Sequence, residues 1–216
     1  MRKISNNIFD KETVITMGVI FICILLYVLF PTKNTFQQII STLAFFLVIP
    51  FLYVKIILKR EVSDYGIQKG NWSKGLLWSA ISILTAMLVF YFFVRYANFL
   101  KNYNLPRTVK ENFTFFLGYE ILLTGFFVAA YEIFFRGFLM RSIWKKIGYL
   151  AIIFQSVAFF LLFYLSSSFS WSVVPYLIFA PFSGLIVSRS RSILYSFASN
   201  FLFIVIVDSV FIKLAK

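Results

Sequence analysis

The sequence predicts an all-α membrane protein, a bundle of about seven membrane-spanning helices. Of the 216 residues, 61% are hydrophobic and only 13% are charged, and the mean hydropathy is +0.87. A soluble protein of this size cannot bury so large an apolar fraction, whereas a membrane protein places it against lipid. At about 20 apolar residues for each span, the chain has room for short loops and for no separate soluble domain.

Apolar runs bounded by charged or turn residues give the predicted spans, which are 13–30, 39–58, 75–94, 113–135, 148–165, 172–188 and 192–212. The first run ends at Pro31 without a small-residue cleavage site, so we interpret it as a retained helix and not as a signal peptide. The fourth run is long. The chain from Phe113 to Trp144 contains no proline and would measure about 48 Å as a helix, so we expect it to tilt strongly or to continue along the interface.

The 21 Lys and Arg residues predict the orientation of the bundle. With the N-terminus inside, the inner segments carry twice as many of them as the outer segments, as the positive-inside rule requires. We therefore expect a multi-pass protein of the cell membrane with a cytoplasmic N-terminus. We divide it into N-terminal transmembrane helices, residues 1–58, and one compact membrane unit, residues 59–216.

The charge and the cysteine count exclude several kinds of partner. The net charge is +13, but the basic residues are scattered through short loops instead of forming a stripe, so we expect contact with anionic membrane lipids and not with nucleic acid. Cys23 is the single cysteine, and the sequence has no histidine. With neither a set of thiolates nor an imidazole, we expect no metal site and no cofactor.

A few ionisable residues lie within or beside the predicted spans, and charge at this depth usually serves a function. Glu132 and Arg136 are four residues apart, the acid first, which favours an ion pair on one helix face. Glu120 lies about 120° around the same helix from Glu132, so the two do not form a two-carboxylate acid–base site. Asp208 is expected to anchor the end of the last span or to pair with Lys213.

The segment from Ala130 to Leu139 resembles the first signature of the CPBP family, the CAAX proteases and bacteriocin-processing membrane proteins also called the Abi family. That signature reads Glu-Glu-x-x-x-Arg. In this sequence, Tyr131 stands at the first glutamate, Glu132 at the second and Arg136 at the arginine.

Later segments continue the resemblance in the family's order, so that it covers roughly residues 59 to 208. Where the family has Phe-x-x-x-His, this sequence has Phe160 and Tyr164, and where it has His-x-x-x-Asn, this sequence has Asn200 and Ile204. The loop before these motifs, with its Asp-x-Gly-Ile ending, is also similar to the family's.

The resemblance implies a helical membrane bundle with a cytoplasm-facing cavity, in which a glutamate, two histidines and an asparagine activate water against a peptide bond. Only Glu132 and Arg136 of these motifs are retained here. A phenol, with a pKa of about 10, cannot replace a carboxylate base at neutral pH, and an amide cannot replace an imidazole. We therefore expect a pseudoprotease in which the retained pair holds the fourth span, while Tyr131 and Tyr164 fill the former cavity.

Three functions remain open from the sequence. The first is a pseudoprotease that binds a membrane-embedded or lipidated protein or peptide; the family's roles in prenyl-protein processing and bacteriocin immunity are implied by the resemblance alone. The second is an active intramembrane endopeptidase with Glu132 as base and Tyr131, Tyr164 or Asn200 as oxyanion donors. The third is a small transporter, suggested by Glu120, Asp208 and the prolines of the sixth span, although the two halves of the sequence show no repeat.

Overall fold

The computed structural model describes residues 10–96, 99–166 and 170–214, which form helices and turns with no β-strand among them. The seven main helices are α1 (Lys11–Leu29), α2 (Thr35–Ile57), α3 (Trp72–Tyr96), α4 (Phe113–Ile147), α5 (Leu150–Leu165), α6 (Trp171–Ser190) and α7 (Ile193–Leu214). All except α5 are long and apolar enough to cross a membrane. The prediction of an all-α polytopic bundle is confirmed. The fifth predicted span has only 16 helical residues, or about 24 Å.

Capping residues and prolines set the helix ends at the start of the chain. The Asp10 side chain accepts a hydrogen bond from the Thr13 backbone N–H at 3.1 Å, and the Asn34 side chain does the same for Gln37 at 2.9 Å. Each cap supplies an acceptor to an N–H group that has no partner within its helix. Helix α1 ends just before Pro31, which restricts the preceding residue to an extended backbone.

Helix α4 is continuous over 35 residues, longer than its predicted span. It contains two π-helical stretches, Tyr119–Thr124 and Glu132–Met140, joined by α-helical turns. Eight of the nine residues in the second stretch are buried, including both charged ones. Such stretches often occur at functional sites, and this one begins at Glu132.

Helix α6 is the centre of the bundle and packs against α3, α5 and α7. Half of its most apolar window is buried, the largest share of the six spanning helices. The N-terminal helices join the bundle through aromatic contacts, since the ring of Phe46 in α2 lies 4.5 Å from that of Phe134 in α4. The division of the chain at residue 58 stays a prediction.

One end of the bundle, here called the basic end, brings together the 58–71 loop and the turns at 148–149 and 191–192. The Gly66 carbonyl accepts a hydrogen bond from the Ile193 backbone N–H at 2.9 Å. Gly70 has a φ of +58°, and a Cβ there would lie 2.3 Å from the Ser190 carbonyl oxygen, so the position requires glycine. Arg141 donates to one backbone carbonyl in the loop and to one in the 191–192 turn.

Candidate functional site

The Glu132 carboxylate is fully buried where α4, α6 and α7 meet. Its Oε1 accepts hydrogen bonds from Ser183 Oγ at 2.8 Å and Asn200 Nδ2 at 2.9 Å, and its Oε2 accepts one from Ser196 Oγ at 2.6 Å. Ser196 and Asn200 are four residues apart on α7 and therefore lie on one helix face. The single acidic side chain thus connects three helices.

Arg136 supplies the positive charge next to Glu132 and is also fully buried. Its Nε lies 3.6 Å from Glu132 Oε1, and its guanidinium carbon lies 5.0 Å from the ring centre of Phe159 in α5. Its Nη2 donates to the Ala180 carbonyl at 3.3 Å, and the same carbonyl accepts from Gln155 Nε2 at 3.0 Å. Helix α5 is therefore tied to the site through Arg136 and Gln155.

Donor groups occupy most of the space around the Glu132 carboxylate. An ionised carboxylate has about four acceptor positions, and here three hydroxyl or amide donors and the guanidinium surround them. Glu132 lines neither the cavity that contains Pro50 and Phe51 nor the one that contains Asp208.

Tyr131 is buried among aromatic side chains. Its ring packs against those of Phe159 and Phe163 in α5 and Tyr176 in α6. The expectation that Tyr131 fills the former cavity stays a prediction.

The structure does not bring Phe160 and Tyr164 to the site. They are 45% and 64% exposed, while Phe159 and Phe163 are almost fully buried. Neighbouring residues of a helix are about 100° apart around its axis, so a difference of a single position separates the buried side chains of α5 from the exposed ones. The expectation that Tyr164 fills the former cavity is wrong, because Phe159 and Phe163 take the inner positions.

The two predicted positions on α7, Asn200 and Ile204, have different surroundings. Asn200 donates to Glu132, as described above, whereas Ile204 is buried one turn further along in an apolar cluster with Phe203 and Val207. Sequence reasoning missed Ser196 as a partner of the carboxylate. The sequence feature that could have identified Ser196 is its position four residues before Asn200, which places both side chains on one helix face.

Glu120 and Asp208 form a second buried acidic site, nearer the other end of the bundle, and each is 2% exposed. Their carboxyl groups face each other, and the Tyr103 hydroxyl donates to Asp208. The expectation that Asp208 pairs with Lys213 is therefore wrong. No group of three or more His, Cys, Asp or Glu side chains in the described parts of the chain is arranged to hold a metal ion.

Comparison with known proteins adds one finding about the family. Residues 112–206 match the family model of type II CAAX prenyl endopeptidase Rce1-like proteins. The matched segment is less than half of the chain, but it contains Glu132, Arg136 and Asn200. No curated protein and no solved structure matched the chain. The resemblance inferred from the motifs is thus confirmed for residues 112–206, and this segment is similar to the type II CAAX prenyl endopeptidases.

Proposed function

We propose that this protein is a pseudoprotease, which binds and stabilises a membrane-embedded or lipidated protein instead of cleaving a peptide bond. The observation that carries the proposal is the set of contacts around Glu132. Donors from two other helices occupy both carboxylate oxygens, and Arg136 lies beside them. A general base must offer a free lone pair to water. Three of the roughly four acceptor positions of this carboxylate are committed to hydrogen bonds within the fold.

The composition of the site supports the same function. The sequence contains no histidine, so no imidazole can receive and return a proton. The positions that carry the family's other polar groups hold Tyr131, which packs among aromatic rings, and Ile204, which packs in an apolar cluster. The retained Glu132 and Arg136 act as a structural connection between α4, α5, α6 and α7.

We place the bound partner in an apolar groove between α2, the 58–71 loop and α4. The groove encloses about 330 Å³ and is lined by apolar side chains, among them Pro50, Phe51, Val54, Ile133 and Phe138. Apolar clefts of this size accommodate apolar groups of a ligand. A lipid chain attached to a protein, or the side chains of a transmembrane helix, has the required chemistry. The prenyl endopeptidases named in the family match supply a precedent for a lipidated protein as partner.

Terminal-peptide proteomics tests whether the protein cleaves anything. Wild type, a deletion strain and Glu132→Gln would be compared at equal expression, with Glu111→Gln as the control because that acid is exposed. We expect no protein terminus to depend on Glu132, and one membrane protein to lose abundance in the deletion strain. A terminus that disappears in both the deletion and Glu132→Gln would show an active endopeptidase and overturn the proposal.

Photo-crosslinking tests whether the groove is the binding surface. A photoreactive amino acid at Phe51 in the groove should crosslink to the protein whose abundance falls in the deletion strain. The same residue at Leu84, which is 72% exposed on α3, is the matched lipid-facing control. Equal crosslinking from both positions would place the partner elsewhere.

We further propose that the basic end faces the cytoplasm of a cell membrane, with the N-terminus on the same side. The support is the excess of Lys and Arg at that end. Cysteine labelling tests this orientation. The native Cys23 is fully buried, so its own reaction with a thiol reagent should be slow. Cysteines introduced at Lys69 and Lys33 should react with a membrane-impermeant reagent from opposite sides, Lys33 from outside in intact cells. The reverse pattern would invert the topology.

A further inference from the structure

The Glu120–Asp208 site holds two acids in the core without a matching positive charge. Both oxygens of Glu120 are buried and form no hydrogen bond of normal geometry, and Asp208 and the Thr124 side chain lie beside them. The ion pairs formed within residues 10–96, 99–166 and 170–214 include neither acid. Two ionised carboxylates in such a place would repel each other and would lack solvation.

The other groups facing this pair cannot neutralise it. They are the tyrosines Tyr103, from the segment before α4, Tyr119 in α4 and Tyr176 in α6. Burial and the neighbouring Asp208 raise the pKa of Tyr103, which therefore stays a neutral donor to Asp208. Since a carboxylate can only accept hydrogen bonds, the two acids can bond to each other only when one of them carries a proton.

A cavity connects this site with the end of the bundle opposite the basic end. It encloses about 250 Å³, is lined by Asp208 together with Tyr103 and Tyr119, and extends to Gln38 near the start of α2 and Ser172 near the start of α6. Its lining mixes hydroxyl, amide and carboxyl groups with apolar side chains, so it is polar and large enough for water.

We propose that Glu120 and Asp208 form a proton-binding site, in which the two carboxyl groups hold one proton between them and exchange it with the solution at that end of the bundle through the cavity. The site is separate from Glu132, whose charge is balanced by Arg136. The bound proton removes one of the two negative charges and supplies the missing donor. Loss of the proton leaves two facing anions between α4 and α7, which weakens the contact between these helices.

Infrared difference spectroscopy of the full chain in lipid nanodiscs tests the proposal. The wild type should show the carbonyl band of a protonated carboxyl group at neutral pH, and the band should disappear as the pH is raised. Glu120→Gln and Asp208→Asn should each lose the band. Glu111→Gln should keep it, because Glu111 is an exposed acid outside the cavity.

Two results would overturn the proposal. One is the absence of a protonated carboxyl band in the wild type at neutral pH, which needs no variant. The other is loss of the band on addition of Na⁺, K⁺ or Ca²⁺ at constant pH, because the pair would then bind a metal cation. If the amide variants fail to fold, Tyr103→Phe serves instead. It removes a donor to Asp208 without changing the charge, and it should move the midpoint of the band to higher pH.

Discussion

Two acidic residues of the same helix are buried to the same extent and have opposite surroundings. Glu132 meets three donors and an arginine, whereas Glu120 meets a second acid and forms no hydrogen bond of normal geometry with either carboxylate oxygen. The difference teaches that burial alone does not determine what an acid does in a membrane protein. The donors around it decide whether it remains an ion held by the fold or must bind a proton.

The largest effect should follow from removing the charge of Glu132. Glu132→Gln leaves the buried Arg136 without its counter-ion and should lower the free energy of unfolding by about 3–5 kcal/mol. The double variant Glu132→Gln/Arg136→Gln removes both charges and should recover part of that loss. Unfolding in mixed micelles measures both.

The double variant also decides whether the pair acts as a unit. If the single and double variants lose the same free energy of unfolding, the cost of Glu132→Gln does not come from an unpaired Arg136 charge. The contrast with Glu120 would then fail. Ser196→Ala is a milder control. It removes one donor and should cost about 1.5–3 kcal/mol, because the hydrogen bond is to a charged group.

Side chains should also be packed more tightly around Glu132 than around Glu120. A Cβ at Gly184, next to Ser183, would lie 2.9 Å from an Ile152 side-chain carbon, so Gly184→Ala should cost about 1–3 kcal/mol. At Gly125, one turn after Glu120, the nearest atom would be at an ordinary 3.5 Å. Gly125→Ala should leave stability unchanged or raise it by up to about 1 kcal/mol. Thermal unfolding of the two variants side by side measures this, and equal losses would show that both sites are packed equally tightly.

Neutralising Glu120 should have a small effect near neutral pH. An amide in Glu120→Gln can donate to Asp208 as the protonated acid does, so we expect a change of about 1 kcal/mol or less. The same replacement at Glu132 should be several times more costly. Chemical unfolding of both variants at one pH makes the comparison, and a loss at Glu120 as large as that at Glu132 would show that Glu120 is held as an ion.

The smallest effect is expected on the outer face of α5. Tyr164→Leu should change stability by less than about 0.5 kcal/mol, because the ring lies against lipid. Phe163→Leu, one position earlier and buried, should be clearly destabilising because the smaller side chain leaves a cavity. Melting temperatures of the two variants test the register of α5, and the reverse order would restore the motif alignment made from the sequence.

The sequence was sufficient to predict the all-α bundle, because its apolar runs have the length of membrane spans. It was insufficient for α5, because a helix that is apolar on all sides carries no periodic signal for its inner face. The motif spacing therefore placed Phe160 and Tyr164 inside when Phe159 and Phe163 are there. It was also insufficient for Asp208, whose partner Glu120 is distant in sequence and is brought close only by the packing of α7 on α4.

The 58–71 loop has a consequence for the order in which the protein assembles in the membrane. The Gln68 side chain donates to the Arg191 carbonyl, 123 residues further along the chain. The Asn71 N–H donates to the carbonyl of Ser190 at the end of α6, and the Gly66 carbonyl accepts from the N–H of Ile193 at the start of α7. During synthesis the loop is therefore complete long before its partners exist. Its backbone groups stay hydrated at the interface until α7 has been inserted, so closure of the basic end is a late step. A chain that stops before α7 leaves that end open.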